Sequence, residues 1–546
     1  VKECLRNVID LDKLFEYDES DIISLLNEVG KIVYGNAALK KAAEKGYAKV
    51  VELLLKDKRV NPAIDNNYAI RYASKKGHIE VVELLLKNKR VNPAAEYNYA
   101  IANAAGNGHT EVVKLLLKDK RVNPAGRDNS AVANASGNGH TEVVKLLLKD
   151  KRVDPSAEEN YAIEFAAQNG YIEIVEILLK DKRVDPAECN NYAIRYAAEN
   201  GHAKVVEILL KDKRVDPSAE ENYAIRHAAR NGHAEVVEML LKNERVNPAA
   251  DGNCVIRWAA ENGHDKVVEM LLKDKRVNPT ACDNSAIRYA AENGYVQVVE
   301  LLLKDKRVDP AADNNYAIVL AALKGYVQVV ELLLKDKRVD PAARNNYAIG
   351  LAAENGHAEV VEMLLKDERV DPAAKDNYAL KWAARNNHVE VVEILLKDNR
   401  VDPAINDNTT IKIAALYGRV KVVELLLKDE RVNPAADDNY AIRRAVEGGH
   451  IEVVEMLLKD KRVYPAADNN YAIRIAAESG YTKVVEMLLK DKRVDPTVDN
   501  NYAMRWAARN GHTEVVKLLL KDKRVDPAAD NNYAIRIAAE SGYTKV

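Results

Sequence analysis

Ten of the eleven histidines fall in one register of the chain. His78, His109, His140, His202, His233, His264, His357, His450 and His512 each follow a glycine, and His388 follows Asn387. Imidazoles are ready zinc ligands, but a metal needs ligands that converge from different directions. A histidine recurring once per structural repeat is instead about 10 Å from the next, the packing distance of helices. Tyr295 and Arg419 fill the same place in other copies, so the column is expected to make structural hydrogen bonds. His227 stands in a different column, mostly Tyr, Trp, Leu and Ile, and reads as a half-buried filler. Cys4, Cys189, Cys254 and Cys282 are too far apart for a zinc knuckle or a CxxC motif. No Ser, Cys or Thr pairs with a local His and acid, and no glycine loop for phosphate occurs. The expectation is no enzyme, no metal and no cofactor.

Other polar columns share the register. Arg71, Arg195, Arg226, Arg257, Arg288, Arg443, Arg474, Arg505 and Arg536, with Lys40, Lys381 and Lys412, form one row. Such a row could grip phosphates or an acidic partner. A carboxylate column, from Asp65 and Glu96 to Asp499 and Asp530, supplies the counter-charge, so neutralisation within the fold is the expected role. The next column carries Trp258, Trp382 and Trp506, which read as packing rather than a base-stacking platform. The arginines from Arg59 to Arg524 sit where a helix exits and are expected to cap its carbonyls.

The register is a period of 31 residues. All 16 prolines obey it, from Pro62 to Pro527, as do an Asn column from Asn36 to Asn532 and an Ala column from Ala42 to Ala538. A period of this size means an array, not a globule. Each unit parses into two helices. Asn191 reads as an N-cap for a first helix over 192–200, because its side-chain oxygen can take a free N–H. Gly201 ends that helix; only Asn387 replaces Gly in this column, and both residues tolerate the left-handed cap. Val205, Val206, Leu209 and Leu210 form the apolar stripe of a second helix over 203–211. Asp216-Pro217 then forces extended chain, leaving about nine residues for a short hairpin-like finger before the next Asn.

Ala197-Ala198-Glu199-Asn200-Gly201-His202, Val205-Val206-Glu207-Ile208-Leu209-Leu210 and Val215-Asp216 resemble the ankyrin repeat, over residues 31–546. The unit departs from that family. It is 31 residues long instead of 33. Tyr192-Ala193-Ile194-Arg195 stands for the usual Thr-Pro-Leu-His, and the glycine ending the second helix is gone. The Lys-Asp-Lys-Arg-Val-Asp-Pro dialect looks most like the ankyrin proteins of giant DNA viruses of protists. The resemblance implies an all-α ankyrin-type solenoid, a curved superhelical rod that binds proteins on its concave, finger-lined side. About 17 tandem repeats are expected over 31–546, the last incomplete, stopping inside a second helix at Thr544-Lys545-Val546. That stop implies a chain that continues or is cut short. Residues 1–30 read as an N-terminal capping segment around Ser20–Leu26; Leu14-Phe15-Glu16-Tyr17 offers the sharper reading of an F-box-like adaptor.

By the same resemblance, the recognition positions on the first helix are the two before Gly. Seven of 17 copies hold Glu-Asn or Arg-Asn there; Leu323-Lys324 and Leu416-Tyr417 are the two that place a leucine. The finger column changes sign at Arg127, Arg344 and Lys375. These seven residues are the candidate partner site, centred on 316–420, since exposed apolar residues are where a partner gains desolvation energy. The formal net charge of −2 gives no net pull toward nucleic acid or an anionic membrane. No apolar run is long enough to span a bilayer, and no signal peptide opens the chain. Few cysteines point to a reducing interior, intracellular and cytoplasmic, or a host cytoplasm or virion for a viral protein. A protein-binding scaffold is the first reading. A structural rod that self-associates into filaments or decorates a particle is the second, and a ubiquitin-ligase substrate adaptor the third. A rod of such repeats would run to roughly 170 Å at about 10 Å per repeat; an elongated small-angle scattering profile is expected, and a compact globular one would overturn the architecture.

Overall fold

The computed structural model describes residues 18–29 and 35–545. They form 34 helices and no strand. The chain divides into two compact units, residues 1–278 and 279–546. In the first, helix Glu19–Val29 precedes eight helix pairs, from Gly35–Lys45 with Ala48–Leu55 to Ala250–Glu261 with Asp265–Lys273. The second holds eight further pairs, from Ala281–Glu292 with Val296–Lys304 to Val498–Arg509 with Thr513–Lys521, and then Ala529–Glu540. Within each unit, first helices pack on first helices of the neighbouring repeats, and second helices do likewise.

Three of the four stripe residues are buried, and Leu210 at the end of the second helix is half-buried. Val205, Val206 and Leu209 are fully buried, together with Ala193, Ile194, Ala197 and Ala198 of the facing first helix. The two alanines add no bulk, so first helices approach closely. Glu19–Val29 packs on Ala48–Leu55. Its Ile22 is fully buried, and the Glu19 carboxylate accepts the backbone N–H of Lys49 at 2.7 Å, at the start of that second helix. Residues 14–17 lie outside the described residues.

The finger differs from the expected hairpin. In all 16 described copies three consecutive residues adopt the left-handed conformation, as Cys189, Asn190 and Asn191 do at φ 49°, 55° and 62°. Each such residue costs about 1–2 kcal/mol unless it is Gly, or Asn or Asp with local hydrogen bonds, and those three types fill most of these positions. The Asn191 side chain makes no N-cap bond. Its Oδ1 instead accepts the backbone N–H of Asp216 at 2.6 Å, the residue before Pro217. The same bond runs from Asn36 with Asn61 to Asn501 with Asp526; at Asn377 the amide nitrogen donates to the Asp402 carbonyl instead. The residue before proline then accepts the N–H two residues on, as Asn61 does from Ala63 at 3.1 Å.

Gly201 holds φ 78°, and a Cβ there would lie 2.5 Å from Nδ1 of His233, in the next repeat. The column therefore needs glycine twice, for its dihedral and for the ring stacked on it. Asn387, at φ 66°, meets the first demand. The second is lifted because Arg419 stands where the ring would be, and its Nε donates to the Arg385 carbonyl at 2.8 Å. Gly201→Val should cost at least about 2 kcal/mol, and Asn387→Gly under about 0.5 kcal/mol. Arg419→His alone should lower the melting temperature, and adding Asn387→Gly should recover it. Equal melting shifts for Gly201→Val and Asn387→Gly would contradict the account.

Candidate partner-binding surface

The histidine column does what its register implies. Each of the ten bonds through Nε2 to the carbonyl 34 residues back, as His78 does to Glu44 at 2.8 Å and His233 to Glu199 at 2.9 Å. These bonds tie the last turn of one first helix to the next repeat. Tyr481 makes the equivalent contact to Glu447, 3.4 Å. His227 is half-buried as expected, stacked on Tyr223 at 3.8 Å, and burial lowers its pKa. Among the described residues no group of three His, Cys, Asp or Glu could hold a metal ion, and no helix is long and apolar enough to cross a membrane.

The arginine row serves the left-handed turns. Arg71 donates through Nη2 and Nε to the carbonyls of Asp65 and Asn66, at 2.8 and 2.9 Å. Eight of the twelve cations also reach the finger carboxylate 25 residues on. Arg226 meets Asp251 at 3.0 Å, Arg443 meets Asp468 at 2.6 Å, and Lys40 meets Asp65 at 2.5 Å. One row thus caps the turn of its own repeat and neutralises the next. The exit arginines cap carbonyls of the preceding repeat. Arg400 donates to Val370 and Leu365, at 2.7 and 2.9 Å, while gripping Asp398 at 2.6 Å. That guanidinium holds the Asp398 carboxyl below its ordinary range. Trp258, Trp382 and Trp506 are half-buried; Trp382 lies 5.7 Å from Tyr378 of its own repeat, and Trp258 lies 5.7 Å from His227 of the repeat before.

The residue two before Gly is half-buried in most copies, and at Glu44, Glu199, Glu354, Glu447 and Glu478 it accepts the phenol of the next repeat. Tyr223 donates to Glu199 and Tyr378 to Glu354, both at 2.7 Å. Burial and that carboxylate hold the Tyr223 phenol well above its ordinary pKa. Leu323 and Leu416 occupy this half-buried place, so no carboxylate is offered to Tyr347 or Tyr440, the residues in the same register. Lys324 and Tyr417 beside them are exposed, Tyr417 by 39%. Tyr417 lies between two guanidinium groups, 5.2 Å from Arg385 and 5.9 Å from Arg419.

The basic finger residues have an internal logic that single columns do not reveal. Opposite Arg127, Arg344 and Lys375, 25 residues back, the row holds Ala102, Val319 and Gly350 instead of a cation. The three cations turn to tyrosines: Arg127 lies 5.8 Å from the Tyr99 ring, Arg344 4.6 Å from Tyr316, and Lys375 4.9 Å from Tyr347. Arg127 belongs to the first unit; the other six candidate residues belong to the second.

These repeats define a helix-pair array in which each unit is completed by its neighbour. A family model for ankyrin repeats, built on three copies, matches in eleven overlapping stretches, the first 15–96 and the last 473–546. The chain belongs to the ankyrin-repeat family, whose repeats generally mediate protein–protein interactions. No curated protein matches the chain. The family match carries no source organism.

One row position breaks the electrostatic rule in the opposite sense. Glu164 stands where the arginines stand; it is 4% exposed, and its Oε1 meets no hydrogen-bond partner. It faces Cys189, whose Sγ donates to Glu159 at 3.0 Å. Burial pushes the Glu164 carboxyl up to about 7; Glu159 and Glu188 add to the rise, while Cys189 and Arg195 oppose it. A carboxyl raised on folding binds more protons folded than unfolded between its ordinary value of 4.5 and about 7. Stability must fall as pH rises through that window, by about 2–3 kcal/mol, and stay flat in this respect above it. Glu164→Gln should remove this fall in the melting temperature of the first unit, and an unchanged pH profile would refute the assignment.

Proposed function

We propose that the second unit presents a docking surface for a partner protein over residues 316–420, with Leu323, Lys324, Arg344, Lys375, Leu416 and Tyr417 as its contacts and Arg127 as a separate contact in the first unit. The observation that carries it is the loss of the phenol acceptor at both Leu323 and Leu416, with exposed Tyr417 framed by Arg385 and Arg419. The scaffold accepts Glu at this place in other copies, so packing alone does not require leucine. An aromatic residue beside arginines is the composition of interface hot spots. Glu19–Val29 would cap the array at its other end, since its buried face covers the first complete second helix.

Leu323→Glu, Leu416→Glu and Tyr417→Asn together should weaken partner capture by about 2 kcal/mol or more. Stability should change by less than about 1 kcal/mol, because each glutamate regains the phenol partner seen at Glu199 and Tyr223. Capture of the same partners at wild-type strength would remove this site.

A further inference from the structure

The docking surface also carries a charge pattern that selects its partner. Elsewhere in the second unit the row and finger charges cancel in pairs: Arg288 with Asp313, Lys412 with Asp437, Arg443 with Asp468, Arg474 with Asp499 and Arg505 with Asp530. Three successive pairings between these do not cancel. Val319 faces Arg344, Gly350 faces Lys375, and Lys381 faces Asn406. Arg344 falls back on Asp313 at 2.9 Å, a carboxylate that Arg288 already holds at 2.9 Å. Among the described residues Lys324, Lys375, Lys381, Arg385 and Arg419 make no ion pair. Glu354, Asp376 and Asp407 lie in the same stretch and return part of the charge, but Glu354 is engaged by Tyr378 and Asp407 lies 3.7 Å from Lys412. Residues 316–420 hold 14 Lys and Arg against 15 Asp and Glu, so the attraction is local to the unpaired cations and is not a net charge of the stretch.

The same stretch has apolar footing. Where other repeats carry an arginine, Gly350 leaves a shallow surface notch of about 10 Å³, room for about one water, lined by Tyr347, Gly350, Asp371, Lys375 and Tyr378. Leu323 and Leu416 are half-buried beside it in register, and Tyr417 is exposed.

Resting on the docking reading above, we infer that this surface takes an acidic stretch of polypeptide, with apolar side chains against Leu323, Leu416 and Tyr417 and carboxylates on Lys375, Lys381 and the Arg385–Arg419 pair. A protein segment fits better than a nucleic acid. Glu354, Asp376 and Asp407 interleave with the cations and would repel an evenly charged phosphate backbone, whereas a peptide can place apolar residues there.

The test uses the full chain and a dye-labelled peptide of alternating Glu and Leu, about 12 residues long. Extended, it reaches roughly 40 Å, about four repeat widths. Fluorescence anisotropy should show it binding at least about tenfold tighter than a Ser-Leu peptide of equal length, with affinity falling as salt is raised. A Lys-Leu peptide should not bind. The variant Val319→Arg, Arg344→Asp, Gly350→Arg and Lys375→Asp installs the pairs found at Arg226 with Asp251 and at Arg443 with Asp468. It should keep or raise the melting temperature and lose about tenfold in peptide affinity. Lys375→Asp alone changes an exposed side chain and should lose about threefold, which covers the case in which the fourfold variant fails to fold. Equal binding of the Glu-Leu and Ser-Leu peptides, undiminished binding by these variants, or displacement of the peptide by a single-stranded oligothymidylate at lower concentration overturns the inference. If the acidic peptide fails while partner capture still depends on Leu323, Leu416 and Tyr417, the acidic assignment alone falls; loss of both dependences removes the docking reading too.

Discussion

The side-chain oxygen of one asparagine per repeat, bonded to the backbone N–H ahead of proline, is the constraint on which the rest depends. That N–H stands where the chain leaves the second helix, and proline supplies no donor beside it. The asparagine that accepts it must sit at the end of a left-handed run, a conformation asparagine tolerates better than most residues. One bond therefore fixes the backbone state of the turn and the return path of the chain, as at Asn191 with Asp216. The cost of three left-handed residues is offset by this bond and by the arginine that caps their carbonyls, as Arg71 does for Asp65 and Asn66.

Once the turn is fixed, repeats join through three contacts of fixed sequence separation. A histidine reaches the carbonyl 34 residues back, an exit arginine the carbonyl 30 back, and a row cation the carboxylate 25 ahead. Because each contact spans neighbouring repeats, a change in one repeat is answered in the next. Asn387 is answered by Arg419, and Arg344 and Lys375 by Val319 and Gly350. Such pairs are physical compensation inside one chain, not drift in separate columns.

The helix pairs were legible in the sequence because they depend on local signals. The Val205–Leu210 stripe, the Ala197–Ala198 pair and Gly201 each announce burial or a cap within one turn of helix. The role of Asn191 was not legible, because the two virtues of asparagine, capping a helix and tolerating a left-handed backbone, coincide at a helix start. Only the distance to Asp216 separates them. The stacking of His233 on Gly201 was hidden for a related reason: a glycine with positive φ already explains itself, so nothing in the string calls for a second cause. Of the candidate site, Tyr417 and Lys324 are exposed as their column suggested, whereas Leu323 and Leu416 are half-buried. Position on a helix gives direction, not the depth to which the next repeat covers it.

That coverage also decides how a repetitive surface acquires a specific site. In eight repeats the row cation pairs with the next finger carboxylate, and in five a glutamate accepts the next tyrosine, leaving little there for a partner to gain by desolvating them. Specificity can arise only where an internal partner is withdrawn. A leucine in place of the phenol's acceptor withdraws one at 323 and 416; a glycine or valine in place of the row cation withdraws one at 350 and 319. The groups left over remain in place because their own repeats hold the backbone; Arg344 and Lys375 rest on the Tyr316 and Tyr347 rings, contacts weaker than those to a carboxylate, which a partner can replace. In an array held together by repeated internal pairs, the departures from the repeat are the surface on which recognition can act.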